Sequence, residues 1–222
     1  MNDCVIATGW HSNGKSPNPG VSEKCYKANW LLEYWIPFNL SQIHPADTSL
    51  YVSDCLIKPL GYDSFSNISF ASLANDHYHT RHDWWSSVLS GAMYAYNNNL
   101  HLVYVEQDCF VWGLDKAIRW ALDQKAKICY GFGNVSYRSG WSENSFTFVH
   151  KDFIDDFIIR AISSNADRST DFVLEILFHE LYKDVFTPWP FGYGRKPVQD
   201  WNHEIFYKQQ LTNNDIDKFM SL

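Results

Sequence analysis

Residues 100–105, Leu-His-Leu-Val-Tyr-Val, constrain the fold most. Their apolar residues are continuous, without the alternation of a strand that has one wet face. The segment therefore predicts a central parallel strand covered on both sides. A parallel neighbour is reached only through a crossover, usually a helix, and the chain supplies the parts. Residues 4–10, 49–55, 67–73 and 126–133 read as further strands. Trp84, Trp85, Val88, Leu89, Ala92 and Met93 fall on one face of a helix from Trp84 to about Asn97. Residues 114–124, the stripe Ile154, Phe157, Ile158, Ala161 and Ile162, and residues 171–183 predict three more helices. Trp30, Leu31, Tyr34 and Trp35 share helical spacing until Pro37 limits that helix. Residues 145–153 alternate, as an edge or antiparallel strand does, and the tail from Pro188 reads as a loop and two short helices. Thr212 caps the last, with Asp215 three residues on. Strands alternating with helices predict an α/β fold, a Rossmann-type three-layer sandwich with one mostly parallel central sheet, in a single domain over residues 1–222.

Such sheets bind ligands at the carboxyl ends of their strands. Here that edge carries Thr8, Gly9 and Trp10 after the first strand, Asp54 after the second, and Glu106 and Asp108 after the central one. No Gly-x-Gly-x-x-Gly follows the first strand and no Gly-x-x-x-x-Gly-Lys-Ser/Thr occurs, which disfavours a typical dinucleotide or P-loop site. A net charge of -7 argues against a nucleic-acid partner. Aromatic residues make up 17% of the chain, with 10 Trp and 13 Tyr, a surplus that suits carbohydrate as well as a core. The five cysteines are odd in number and lack zinc-like spacing. No apolar run is long enough to cross a membrane, and residues 1–10 lack the character of a signal peptide. A cytoplasmic protein with buried, reduced thiols is expected.

Glu106 and Asp108 are the first chemical candidates. At positions i and i+2 of a strand they face one way, and two such carboxylates repel unless solvated, protonated or bridged by a cation. A hard divalent ion with water or phosphate as further ligands fits so sparse a donor set; a solvated strand end with Asp108 in a turn explains the pattern equally. Asp171, after Ser169 and Thr170, is either a helix-start acid or a base, with Glu175 one turn on as its reserve. Asp76, His77, His79, His82 and Asp83 form a polar cluster without standard zinc spacing; it reads as a loop beside sugar or acceptor, or as a solvated helix entry. Arg195 or Lys196, in a glycine-containing basic loop, can neutralise a leaving diphosphate.

The stretch from Trp84 to Cys109, an Ala-containing helix, a polar turn, an apolar strand and then an acidic signature, resembles the middle of a GT-A fold glycosyltransferase. In that superfamily a D-x-D motif binds Mn²⁺ or Mg²⁺, which holds the diphosphate of a nucleotide-sugar. Here Glu106 stands where the first Asp would be. The resemblance spans roughly residues 4 to 185 in order. It implies Asp108 and Glu106 as metal ligands, with Glu106 also touching the ribose or acting through water. It implies Thr8, Gly9, Trp10 and Asp54 at the nucleoside, Asp171 as catalytic base, and Arg195 at the diphosphate. His203 is placed to be a further metal ligand, or is a surface histidine. The implied division is a donor half over 1–113 and an acceptor half over 114–222. The implied reaction moves a sugar, from a UDP-sugar by preference, to a glycan or other hydroxyl, with inversion if the displacement is direct and retention as the open alternative. A sugar-phosphate nucleotidyltransferase is one rival, although residues 11–20 offer only Lys15 as a basic residue. A non-catalytic carbohydrate-binding protein is the other.

Overall fold

The computed structural model describes residues 3–10, 20–27, 29–40, 43, 48–54, 68–72, 82–133, 141–164 and 174–222. The expected sheet is present. Strands β1 (Cys4–Trp10), β2 (Thr48–Asp54), β3 (Ile68–Ser72), β4 (His101–Val105), β6 (Ile128–Gly131), β7 (Glu143–Val149) and β8 (Phe186–Pro188) lie in the order β3-β2-β1-β4-β7-β6-β8. β1 pairs in parallel with β2 and β4, as do β2 with β3 and β6 with β8. β7 is antiparallel to both its neighbours. The alternation along residues 145–153 thus marks an antiparallel strand, but one in the middle of the sheet, and every residue from Glu143 to Val149 is buried.

Side-chain alternation on β1 divides the core. Cys4, Ile6 and Trp10 face a layer built on residues 31–40, α3 (Leu114–Asp123) and α6 (Asn213–Phe219). Val5 and Ala7 face α2 (His82–Asn97), α4 (Ile154–Ser163) and α5 (Leu174–Tyr182). Each fully buried Phe- or Leu-sized side chain contributes about 1.5–3 kcal/mol through burial.

Two departures from expectation shape the ligand edge. The helix at residues 31–40 does not stop at Pro37. Its first turns, Leu31–Trp35, are π-helical, with the Ile36 N–H bonded to the Leu31 carbonyl, and α1 (Ile36–Leu40) continues past the proline. Proline lacks an N–H and its ring crowds the carbonyl four residues back, and a widened preceding turn relieves both. The tail also differs. Among the described residues it forms one helix, α6, with the expected Thr212–Asp215 capping box. Before that helix comes a strand, β9 (Phe206–Gln209), which pairs antiparallel with β5 (Cys109–Trp112). Pairing across about a hundred residues outweighed the polar character of Lys208 and Gln209.

Candidate functional site

The Glu-Gln-Asp sequence is a turn, not a strand end. β4 stops at Val105, and the Cys109 N–H bonds back to the Glu106 carbonyl at 3.0 Å. Tryptophans hold this turn from the neighbouring layer. Trp30 Nε1 donates to the Gln107 carbonyl at 2.7 Å, and Trp35 Nε1 donates to the Glu106 carbonyl at 2.9 Å. Gln107 Nε2 donates to the Cys25 carbonyl at 3.1 Å, and the Glu106 N–H donates to the Ser145 carbonyl at 2.8 Å. Asn39, carried past Pro37 by the continued helix, accepts from the Val111 N–H at 2.9 Å and donates to the Cys109 carbonyl at 3.3 Å. With its backbone groups so satisfied, the turn presents two carboxylates from a rigid support.

Asp108 is withdrawn from solvent and Glu106 is half-buried. Asp108 is 5% exposed and accepts from the Tyr26 hydroxyl at 3.4 Å. Glu106 accepts from Gln209 Nε2. Burial, then the charge on Asp108, pushes the Glu106 carboxyl well above its usual range, against the pull of Arg195. Burial also raises Asp108, opposed by Arg195, Tyr26 and Lys208. Two carboxyls that each resist ionisation either keep a proton or are offset by a nearby cation.

Arg195 lies between further acids. Its Nη2 donates to Glu175 Oε1 at 2.8 Å, and its Nε is 3.8 Å from Glu143 Oε2. Burial works against its charge, but Glu143, Glu175 and Glu106 outweigh that and keep the guanidinium protonated. Lys208, 4% exposed, donates to the Gln209 and Arg195 carbonyls, and burial lowers its pKa. The cluster therefore sets four carboxylates, Glu106, Asp108, Glu143 and Glu175, against two cations. Its donors are hard oxygens, of the kind that a divalent ion such as Mg²⁺ or Mn²⁺ accepts. Among the described residues, no group of three or more His, Cys, Asp or Glu side chains is arranged to hold a metal ion.

The remaining sequence candidates divide. β1 and β2 run in parallel register, with Gly9 beside Ser53 and Trp10 beside Asp54, so both strand ends reach the edge where β4 ends. Thr8 is fully buried and its hydroxyl donates to the Gly9 carbonyl at 3.2 Å. Trp10 is 1% exposed and packs in the core, and its indole N–H has no hydrogen-bond partner among the described residues. Gly9 is required by close packing, because a Cβ there would lie 2.6 Å from Ser87 Oγ and 3.1 Å from the Tyr104 hydroxyl. Gly9→Ala is expected to cost about 1–3 kcal/mol, read as a lower urea midpoint at unchanged slope. A wild-type midpoint would show that Ser87 yields freely.

His203 is exposed, and its Nδ1 accepts from the Ile205 N–H at 3.2 Å. The β5–β9 register sets Cys109 against Gln209 and Trp112 against Phe206. His203 thus lies beyond the far end of that ribbon, more than about 10 Å along the strand from Gln209, and is not brought to the acidic turn. Asp171, Asp76, His77 and His79 lie outside the described residues, as does most of the loop after β1. His82 and Asp83 begin α2. Sequence reasoning missed Tyr26, Glu143, Lys208 and Gln209. The signal available was polarity inside apolar strands: Glu143 and Asn144 ahead of Phe146, and Lys208 beside Tyr207.

No protein-family model matches the chain, and no curated protein matches it in sequence. Solved structures do match in fold. The glycosyltransferase GlyE of Streptococcus pneumoniae TIGR4 superposes with a TM-score of 0.52 at 9% identity, over 85% of this chain and 45% of that one. This chain thus spans less than half the length of GlyE. A putative glucose-1-phosphate thymidylyltransferase from Bacillus anthracis gives 0.53 at 11% identity, over 99% and 94% of the two chains. The galactosyltransferase LgtC, solved with donor and acceptor sugar analogues, gives 0.53 at 11% identity, over 85% and 74%. At such identities the likeness is one of fold, and the fold is the GT-A-like one that the sequence resembles.

Proposed function

We propose that this GT-A-like chain is a glycosyltransferase that moves a sugar from a nucleotide-diphosphate-sugar, with UDP-sugars favoured, to a glycan or other hydroxyl acceptor. One observation carries the reading: a buried Asp108 and a half-buried Glu106 are held on a tryptophan-clamped turn at the carboxyl edge of a mostly parallel sheet. A purely structural turn has no need to bury Asp108 near a second carboxylate. In this reading Asp108 and Glu106 hold Mn²⁺ or Mg²⁺. The ion, when bound, supplies positive charge to the departing diphosphate.

The chain's own residues divide the remaining work. The ends of β1 and β2, with Thr8, Gly9, Trp10 and Asp54, form the nucleoside side of the edge. Gly9 and the buried Trp10 shape that side through packing rather than through an exposed ring. Asp171 takes the proton as the acceptor oxygen bonds to the anomeric carbon and the bond to the diphosphate breaks, which inverts the centre. Glu175 is held by Arg195 and shapes the acceptor side. Residues of the 1–113 half supply the acidic turn, and residues of the 114–222 half supply Arg195 and Glu175. Four free, buried thiols, Cys4, Cys25, Cys109 and Cys129, support a cytoplasmic setting. No helix of the described residues is long and apolar enough to cross a membrane.

A panel of nucleotide-sugars tests the reading. Mn²⁺-dependent release of free UDP, slow with water and faster with a sugar acceptor, is the expected result. Absence of metal-dependent binding or turnover across the panel sinks it. The likeness to the thymidylyltransferase, which spans nearly all of both chains, motivates the second reading, a nucleotidyltransferase. That activity would release pyrophosphate from a nucleoside triphosphate and a sugar 1-phosphate, so the two products tell the readings apart.

A further inference from the structure

Gln209 is 6% exposed, and its side-chain amide is divided in its duties. Nε2 donates to the Glu106 carboxylate. Oε1 is buried and has no hydrogen-bond partner among the described residues. A buried carbonyl oxygen left without a partner is costly, because water cannot satisfy it. The main chain there is fixed, since the Gln209 N–H bonds to the Gly194 carbonyl at 2.8 Å. In the β5–β9 ladder Gln209 is registered with Cys109, the residue that follows Asp108. The unpartnered oxygen thus belongs to an amide already bonded to one of the two carboxylates.

We infer that Gln209 Oε1 is the third protein oxygen of the divalent-cation site, completing the set begun by Glu106 and Asp108. The inference rests on the reading of those two residues as cation ligands. An amide carbonyl is a hard, neutral donor of the kind that Mg²⁺ and Mn²⁺ accept. It adds coordination without a third charge to a cluster already rich in carboxylates. It also assigns the role expected of His203 to a residue that the fold brings to the turn. The strand pairing that carries His203 away delivers Gln209.

Mn²⁺ binding to the protein without nucleotide, followed by electron paramagnetic resonance of free Mn²⁺ and by water-proton relaxation, tests this apart from turnover. Gln209→Met keeps the length of the side chain and removes both polar atoms. It is expected to weaken Mn²⁺ binding about 10–100-fold and to raise relaxivity per bound ion, as water replaces the lost oxygen. Gln209→Glu restores an oxygen and is expected to bind at least as tightly as wild type, with wild-type relaxivity. If Gln209 serves only to orient Glu106, both variants weaken binding alike, and the inference fails. Unchanged binding in Gln209→Met also overturns it. Equal Mn²⁺ binding by wild type and Asp108→Asn would instead overturn the metal reading itself. Thermal melts of each variant establish that the proteins compared are folded.

Discussion

Asp108→Asn is expected to remove metal-dependent transfer, by about 10²–10³-fold or more, while making the metal-free protein more stable. The two effects have one cause. Burial raises the Asp108 carboxyl, and burial with the charge on Asp108 raises Glu106, so ionising either group costs the folded state more than it costs the unfolded chain. An asparagine keeps the shape and an acceptor for Tyr26 but discards one charge. A gain of about 0.5–2 kcal/mol is the usual scale for relieving such a functional compromise. The pH dependence carries a definite sign. A group whose folded pKa exceeds its unfolded value favours the folded state fully below the unfolded pKa, and that contribution is lost as pH rises through the folded pKa. The wild-type protein without metal should therefore approach the stability of the asparagine variant as pH falls toward the ordinary carboxylate range. The gap should open as pH rises. Urea unfolding of both proteins across that range, with and without Mn²⁺, checks it. Mn²⁺ should stabilise wild type and leave the variant unmoved. A variant less stable than wild type at neutral pH would show that Asp108 is an ordinary structural acid.

The same two residues show how far the sequence could be read. The uninterrupted apolar run at residues 100–105 was enough to place a buried central strand, and the strand–helix alternation around it predicted the layers. Both are local patterns. The geometry of the acidic pair was not local. Its turn is fixed by Trp30, 77 residues from Gln107, and by Trp35, 71 residues from Glu106, and no periodicity announces a bond of that kind. Pro37 reads as a helix end because its missing N–H is a local fact. The π-helical turn that accommodates it is a response of the neighbouring residues, and it is what carries Asn39 to β5. The tail departs from its sequence pattern for a related reason. Lys208 and Gln209 are polar and suggest surface, yet pairing with β5 buries them against the acidic turn. His203, whose side chain advertises metal chemistry, stays at the far end of the same ribbon.

Arg195→Met is expected to destabilise the protein by about 3–5 kcal/mol, a larger effect than loss of a phosphate-binding surface charge would give. The sequence suggested an arginine free to meet a diphosphate. In the structure its guanidinium is already engaged, donating to Glu175 at 2.8 Å and lying 3.8 Å from Glu143, whose side chain is only 3% exposed. Removing the cation takes a positive charge from beside a buried acid, and a buried negative charge is costly because water cannot reach it. Replacing Glu143 with glutamine in the same protein removes most of that penalty, so Arg195→Met with Glu143→Gln should recover much of the lost stability. A double-mutant cycle in urea measures this as a coupling energy. UDP affinity in the presence of Mn²⁺ supplies the second axis. If Arg195 also meets the diphosphate, the stabilised double variant still binds UDP weakly. If its work is to hold Glu143 and Glu175 in place, stability and UDP affinity return together. Wild-type stability in Arg195→Met alone would refute the buried-pair account and leave the arginine as a ligand-binding residue only.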